Sequence, residues 1–152
     1  RGLFGQYLDD AGISIAFSQT AVILAQMFVA APFFVKAAIS ALGGVDRELE
    51  QAAALDGAGD SQVFRHVTLP LSLPVLFAGA VMMWARALGE FGATIIFAGN
   101  FPGRTQTMPL AIYLGFELDM GVALTLALIL LVVSFGVLFA VKRALRGRVE
   151  AG

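Results

Sequence analysis

The sequence predicts an all-α membrane protein with three transmembrane helices and one cytoplasmic loop of short helices, and three observations carry that prediction. Of 152 residues, 59% are hydrophobic and only 14% charged, where a soluble domain carries about 25% charge. Mean hydropathy is +0.84. Three apolar stretches are long enough for a hydrocarbon core of about 30 Å, which takes roughly 20 helical residues. The same composition excludes other classes. Ten Lys and Arg against eleven Asp and Glu leave a net charge of −1, so there is no overall basic field for nucleic acid. No cysteine and a single histidine, His66, remove disulfides, thiolate metal sites, iron–sulfur clusters and bis-histidine haem.

The chain opens at Arg1 with no charged n-region, short apolar stretch and cleavage site. It is expected to be the C-terminal part of a longer membrane protein. The first span, about 11–42, is free of charge from Ala11 to Val35 and continues past Lys36 to Leu42, with Pro32 as an expected kink. The second, about 70–98, runs from Pro70 to Ala98 and is interrupted by Arg86 and Glu90. The third, about 120–141, runs from Met120 to Val141 without a charge.

Between the first two spans, residues 43–69 gather Asp46, Arg47, Glu48, Glu50, Asp56, Asp60 and Arg65, and cannot sit in lipid. Asp46 reads as an N-cap with acids in the first turn behind it. Leu49, Ala52 and Ala53 then share one face of a short helix. Gly57 and Gly59 break it, and Asp60 or Ser61 caps a second short helix containing Val63, Phe64 and Val67. Pro70 and Pro74 suit the first turn of the following span. With this segment and the tail after Val141 on one side, that side holds Arg47, Arg65, Lys142, Arg143, Arg146 and Arg148. The other holds Arg1 and Arg104. The loop 43–69 and the C-terminus are therefore expected to be cytoplasmic, and the loop 99–119 external. The basic tail anchors the last helix.

Two patterns could carry chemistry. Gly57-Ala58-Gly59-Asp60 formally matches the Gly-x-Gly-Asp of intramembrane aspartyl proteases. That chemistry needs two carboxylates together in the apolar layer, and the only acid within an expected span is Glu90. His66 has no serine or acid spaced to complete a nucleophilic set. Arg86 and Glu90 stand at i and i+4 on one helix face, where they can pair. Inside a membrane they must face protein or water. They either orient their helix through an internal salt bridge, line a pathway together with Thr94, or pair with preceding spans.

The polar segment also has a specific order. Glu50-Gln51-Ala52-Ala53-Ala54-Leu55-Asp56-Gly57 is followed, nine residues later, by Val67-Thr68-Leu69-Pro70. This resembles the EAA loop of bacterial ABC-importer permeases, in which Glu-Ala-Ala, three residues, Gly and nine residues precede Ile-x-Leu-Pro. Ala52, Ala53, Gly57, Leu69 and Pro70 match in place and spacing. Gln51 stands where that family usually has Glu, and Glu50 is the alternative source of the acid. The resemblance implies that Glu50, Gln51, Ala52, Ala53, Gly57, Leu69 and Pro70 form a coupling helix that docks on a cytoplasmic ATPase subunit.

Residues Arg86 to Tyr113, including Ala98-Gly99-Asn100 and Arg104-Thr105-Gln106-Thr107, resemble the permeases of molybdate ABC transporters, with sulfate/thiosulfate permeases the nearest competitor. The resemblance implies a multi-pass subunit of the bacterial or archaeal plasma membrane, importing molybdate and tungstate by alternating access. It implies a permease homodimer with two ATP-binding subunits and an external oxyanion-binding protein, and a pathway or gate near Arg86, Glu90 and Thr94. No Gly-x4-Gly-Lys-Ser/Thr loop occurs in the chain, so ATP and Mg are expected on the partner and no cofactor, metal or catalytic residue on this chain. An intramembrane enzyme and an ATP-independent channel are the rivals of other classes, and both leave the Gln51–Pro70 spacing unexplained.

Overall fold

The computed structural model describes residues 16–149, with side chains through Arg143. Arg1 and the first residues of the first expected span, 11–15, lie outside them, as do the side chains of Arg146 and Arg148. Six helices follow in order: α1 (Gln19–Gly43), α2 (Arg47–Leu55), α3 (Asp60–Leu88), α4 (Gly92–Ala98), α5 (Met108–Leu118) and α6 (Met120–Val149). Among the described residues all regular structure is helical. Helices α1 and α3, and α6 over Met120–Arg143, are long and apolar enough to cross a membrane.

Burial is inverted relative to a water-soluble fold. The buried apolar residues are Ala21, Ala25, Ala30, Ala41, Ala98, Ala123 and Leu110, whereas Phe28, Ile39, Ile96, Leu131 and Phe135 are exposed. Small residues let helix backbones approach closely, which is how helices associate where lipid removes any hydrophobic drive between them. The chain divides into two compact units.

The unit formed by Ala31–Trp84 and 140–149 contains the second half of α1, α2 and most of α3. At Gly79 of α3 an added Cβ would overlap the Cβ of Ala37 and lie 3.7 Å from the Phe34 ring. Ser72, also buried, places its hydroxyl 2.7 Å from the Thr68 carbonyl and 3.2 Å from the Ala41 carbonyl of α1. Helix α2 is closed at both ends. Asp46 accepts the Glu48 N–H at 2.9 Å. At the other end Gly57, at φ +92°, donates to the Ala54 carbonyl while Ala58 donates to that of Ala53. This paired closure is the Schellman arrangement that glycine permits.

The second cytoplasmic helix expected from sequence is not separate from the second span. Asp60 to Leu88 is one helix, with a π-helical turn at Phe64–Thr68 in which Leu69 donates to the Phe64 carbonyl. Pro70 has no N–H to give and its ring crowds the carbonyl four residues back; the wider turn just before it lets the helix continue rather than restart. Gly59, not Asp60 or Ser61, is the N-cap, its N–H donating to Gln62 Oε1 at 3.0 Å. Asp60 falls in the first turn, where the helix dipole favours an acid.

The other unit, the described residues up to Ala30 with Ala85–Phe139, contains α4, α5, most of α6 and the flanking parts of α1 and α3. Two expectations change here. The stretch Pro70–Ala98 is interrupted at Gly89–Phe91, so that α4 is a separate helix. The segment 99–119 is not all loop, because Pro109 in the first turn starts α5 and Asp119 ends it. Asp119 Oδ1 then accepts the N–H groups of Gly121 (2.8 Å) and Val122 (3.2 Å), opening α6 at once. The tight hairpin is possible because a Cβ at Gly115 would lie only 3.0 Å from that of Ala123. Ahead of α5, the Phe101 carbonyl accepts from Arg104, Thr105 and Gln106, and the Phe101 N–H donates to Thr105 Oγ1 at 3.1 Å.

Gly79→Val should destabilise the protein by about 2 kcal/mol, the scale of overpacking a closed contact, visible as a lower thermal midpoint in detergent. Gly43→Ala, whose added Cβ meets nothing within 4 Å, should leave that midpoint unchanged.

Candidate functional site

The residues singled out by sequence fall into two clusters, one in each unit. The first is built on α2 and the beginning of α3. No side chain of α2 is buried. Gln51 and Ala52 are exposed, Ala53 and Glu50 half-buried, and Leu55 at the end of the helix is 89% exposed. A concavity of about 370 Å³ is lined by Arg47, Glu50, Gln51, Asp60, Phe64 and Thr68. A second, of about 390 Å³, is lined by Ala53, Gly57, Ala58, Gln62, His66 and Val67. Open hollows flanking a short helix with small side chains at its centre form a surface suited to another protein. The Gly57 turn keeps that surface abrupt. Its positive φ is unfavourable for any residue with a Cβ.

Glu50 and Gln51 have different positions. Gln51 points into solvent, whereas Glu50 Oε1 accepts a 2.6 Å hydrogen bond from Thr68 Oγ1. Thr68 is the unspecified residue of the Val-x-Leu-Pro pattern, so motif reading passes over it. Leu69 is half-buried and Pro70 exposed, directly after the π-helical turn. His66 Nδ1 lies 3.0 Å from the Gln62 carbonyl, a local bond to its own helix. Asp60 is exposed.

The second cluster surrounds the break between α3 and α4. Arg86 and Glu90 do pair, with Nη1 and Oε2 2.9 Å apart, but Glu90 lies beyond the end of its helix. Its N–H returns to the Ala87 carbonyl, and its Oε1 accepts the Ala93 N–H at 2.8 Å. One buried carboxylate thus satisfies a guanidinium behind it and an open backbone donor of α4 ahead of it. Arg86 is partly open, its side chain 38% exposed against 6% for Glu90. The pair is electrically neutral and bridges a helix interruption that hydrocarbon would otherwise leave unsatisfied.

Thr94, the third residue of this cluster, is fully buried, and its hydroxyl has no partner among the described residues. The structure does not join it to Arg86 or Glu90 by a hydrogen bond. Phe91, at the break, stacks edge-on against Tyr113 of α5 at 5.3 Å between ring centres. Sequence periodicity cannot reveal this role of Glu90, because a carboxylate reaching forward to cap a new helix has the same spacing as one reaching back along an old one.

Glu90→Ala should lower stability by about 2 kcal/mol, since it strips both the Arg86 guanidinium and the Ala93 N–H of their acceptor. Glu90→Gln should cost less than half of that, because an amide oxygen still accepts from Ala93; thermal melts of the two variants side by side check the order.

Residues 10–149 match the family described as the binding-protein-dependent transport system inner membrane component. The chain is 49% identical over 133 residues to the molybdenum transport system permease protein ModB of Mycobacterium tuberculosis, covering 88% of this chain and 50% of that protein. It is 50% identical over 114 residues to the ModB protein of Escherichia coli K12, covering 74% and 50% respectively. Sulfate permease 2, chloroplastic, of Chlamydomonas reinhardtii is 40% identical over 139 residues, covering 91% of this chain and 38% of that protein. The chain spans about half the length of the ModB proteins it matches.

Proposed function

The chain belongs to the family of binding-protein-dependent transport system inner membrane components, and from that premise we propose that it is the coupling half of an ATP-driven importer permease for molybdate. The observation that carries the coupling role is α2 itself: a short helix capped at both ends, with no buried side chain, ending in a glycine turn. Such a helix has no core of its own to serve, and its small exposed centre fits the groove of another protein. The Glu-Gln-Ala-Ala…Gly…Leu-Pro order lies on this element and on the start of α3.

In this reading the loop 43–69 and the C-terminus face the cytoplasm, in line with the excess of Lys and Arg on that side. Two ATP-binding subunits, which carry ATP and Mg, dock on a permease homodimer, one against Gln51–Gly57 of each copy. Their closure moves α2 and rocks the spans between inward and outward openings, while an external oxyanion-binding protein delivers the anion. Arg86, Glu90 and Thr94 border the pathway or its gate. The neutral Arg86–Glu90 pair suits a passage that must pass a dianion without trapping it.

Molybdate, with tungstate as its close mimic, is favoured by the identity of about half to ModB proteins. A sulfate importer is the second reading, favoured by the 40% identity to a sulfate permease. Labelled molybdate uptake by cells carrying the full-length permease and its partner subunits separates them. ATP-dependent uptake competed by tungstate and not by equimolar sulfate is expected. Equal competition by sulfate would transfer the protein to the sulfate group. Gly57→Trp should reduce co-purification of the ATPase subunit or uptake about tenfold, the cost of roughly 1.4 kcal/mol of lost docking, and full coupling in that variant would remove α2 from the interface.

A further inference from the structure

Helix α2 contributes no fully buried side chain, so polar contacts carry more of its attachment to the spans than they would for a core helix. Among the described residues, the side-chain hydrogen bond joining α2 to α3 is Thr68 Oγ1 to Glu50 Oε1, at 2.6 Å. Thr68 is buried and is the last residue of the π-helical turn. Its carbonyl in turn accepts from the Ser72 hydroxyl at 2.7 Å, and that hydroxyl also lies 3.2 Å from the Ala41 carbonyl in the last turns of α1. The single Ser72 proton is shared between these two carbonyls, so Glu50, Thr68, Ser72 and Ala41 form a polar chain from α2 through α3 to α1 whose last link is the longer arm of a three-centre bond. All of it lies within a single compact unit.

We infer that Glu50, Thr68 and Ser72 are positioning residues that transmit movement of α2 to α1 and α3, with the π-helical turn as the joint. This rests on the coupling role of α2 proposed above. A hydrogen bond to a carboxylate is directional and stronger than a neutral one, so displacing Glu50 carries Thr68 with it. Thr68 sits where the backbone ladder already skips a residue. Converting a π turn to an α turn removes one residue from the turn and rotates the helix before it by about 100° relative to the helix after it. A pull on Thr68 thus acts at the point of α3 best able to change register, and Ser72 passes it on to α1.

The arrangement also separates the roles of two adjacent acidic-type positions. Gln51 is exposed and available to a partner, while Glu50 is committed inward. Because Glu50 acts as a hydrogen-bond acceptor, an amide oxygen can replace it; because Thr68 acts as a donor, serine can replace it and valine cannot.

The test uses the full-length permease assembled with its ATPase subunits and binding protein in proteoliposomes, reading labelled molybdate taken up per ATP hydrolysed. Thr68→Val should lower that ratio about tenfold while hydrolysis and ATPase-subunit co-purification persist, the scale of one lost charge-assisted hydrogen bond. Thr68→Ser should restore it. Glu50→Gln, which keeps the acceptor but loses the charge, should lower the ratio less than Glu50→Ala, which should fall with Thr68→Val, and these two variants carry the comparison if Thr68→Val does not assemble. An unchanged ratio in Thr68→Val, or equal damage from Glu50→Gln and Glu50→Ala, would overturn the relay. A wild-type permease that binds no ATPase subunit would overturn the importer reading and the relay with it.

Discussion

An unpaired backbone N–H or C=O costs free energy, several kcal/mol where it is stranded in hydrocarbon, and this chain interrupts its helices repeatedly. Several of these interruptions are met by a side chain placed to satisfy the backbone. Asp46 closes the start of α2, Glu90 bridges α3 and α4, Thr105 receives the Phe101 N–H in the turn before α5, and Asp119 opens α6. These acceptors mark where α2, α4 and α6 begin, whereas α5 begins at Pro109 without a side-chain cap. Polar residues are few in this chain, and Ser72, Glu90, Thr105, Asp119, Thr125 and Ser134 bond the backbone.

Apolar packing plays a narrower part. The buried apolar set is alanine with one leucine, and the close contacts Gly79 with Ala37 and Gly115 with Ala123 are those of backbones pressed together. Large residues instead turn outward, as they do where lipid or other helices complete the burial. The consequence is a division of labour: small residues set the spacing between helices, and hydrogen bonds set their ends and joints. A joint built that way can transmit force in a direction, which a seam of methyl groups cannot. The coupling role proposed for α2 depends on this distinction, since α2 has no fully buried side chain and Glu50 bonds it to Thr68 of α3.

Much of this is legible in the sequence. Length and hydropathy suffice for the three long helices, because nothing but a span accommodates so many consecutive apolar residues. The Asp46 cap and the Gly57 break are equally readable, each depending on one residue's local chemistry. The pairing of Arg86 with Glu90 follows from their spacing, yet the helix break between them and α4 does not, because an unbroken helix and a capped break present the same residues. The π-helical turn at Phe64–Thr68 escapes for a related reason: it shifts register without changing composition. Helix α5 is concealed by the Pro109 that starts it, since proline marks a loop as readily as a first turn. Thr68 and Ser72 are short hydroxyl residues in apolar surroundings, and only three-dimensional neighbours reveal that one holds Glu50 and the other reaches α1.

The central claim is that α2 lies on the cytoplasmic face and is covered by an ATPase subunit. The chain contains no cysteine, so Ala53→Cys provides a single reporter within it on the half-buried edge of α2. The most direct measurement is its reaction with a membrane-impermeant maleimide in the full-length protein, in spheroplasts and in inside-out vesicles, with and without the ATPase subunit. Labelling confined to inside-out vesicles and suppressed by the ATPase subunit is the predicted result. Labelling from the outer face, or at a rate indifferent to that subunit, would contradict the account.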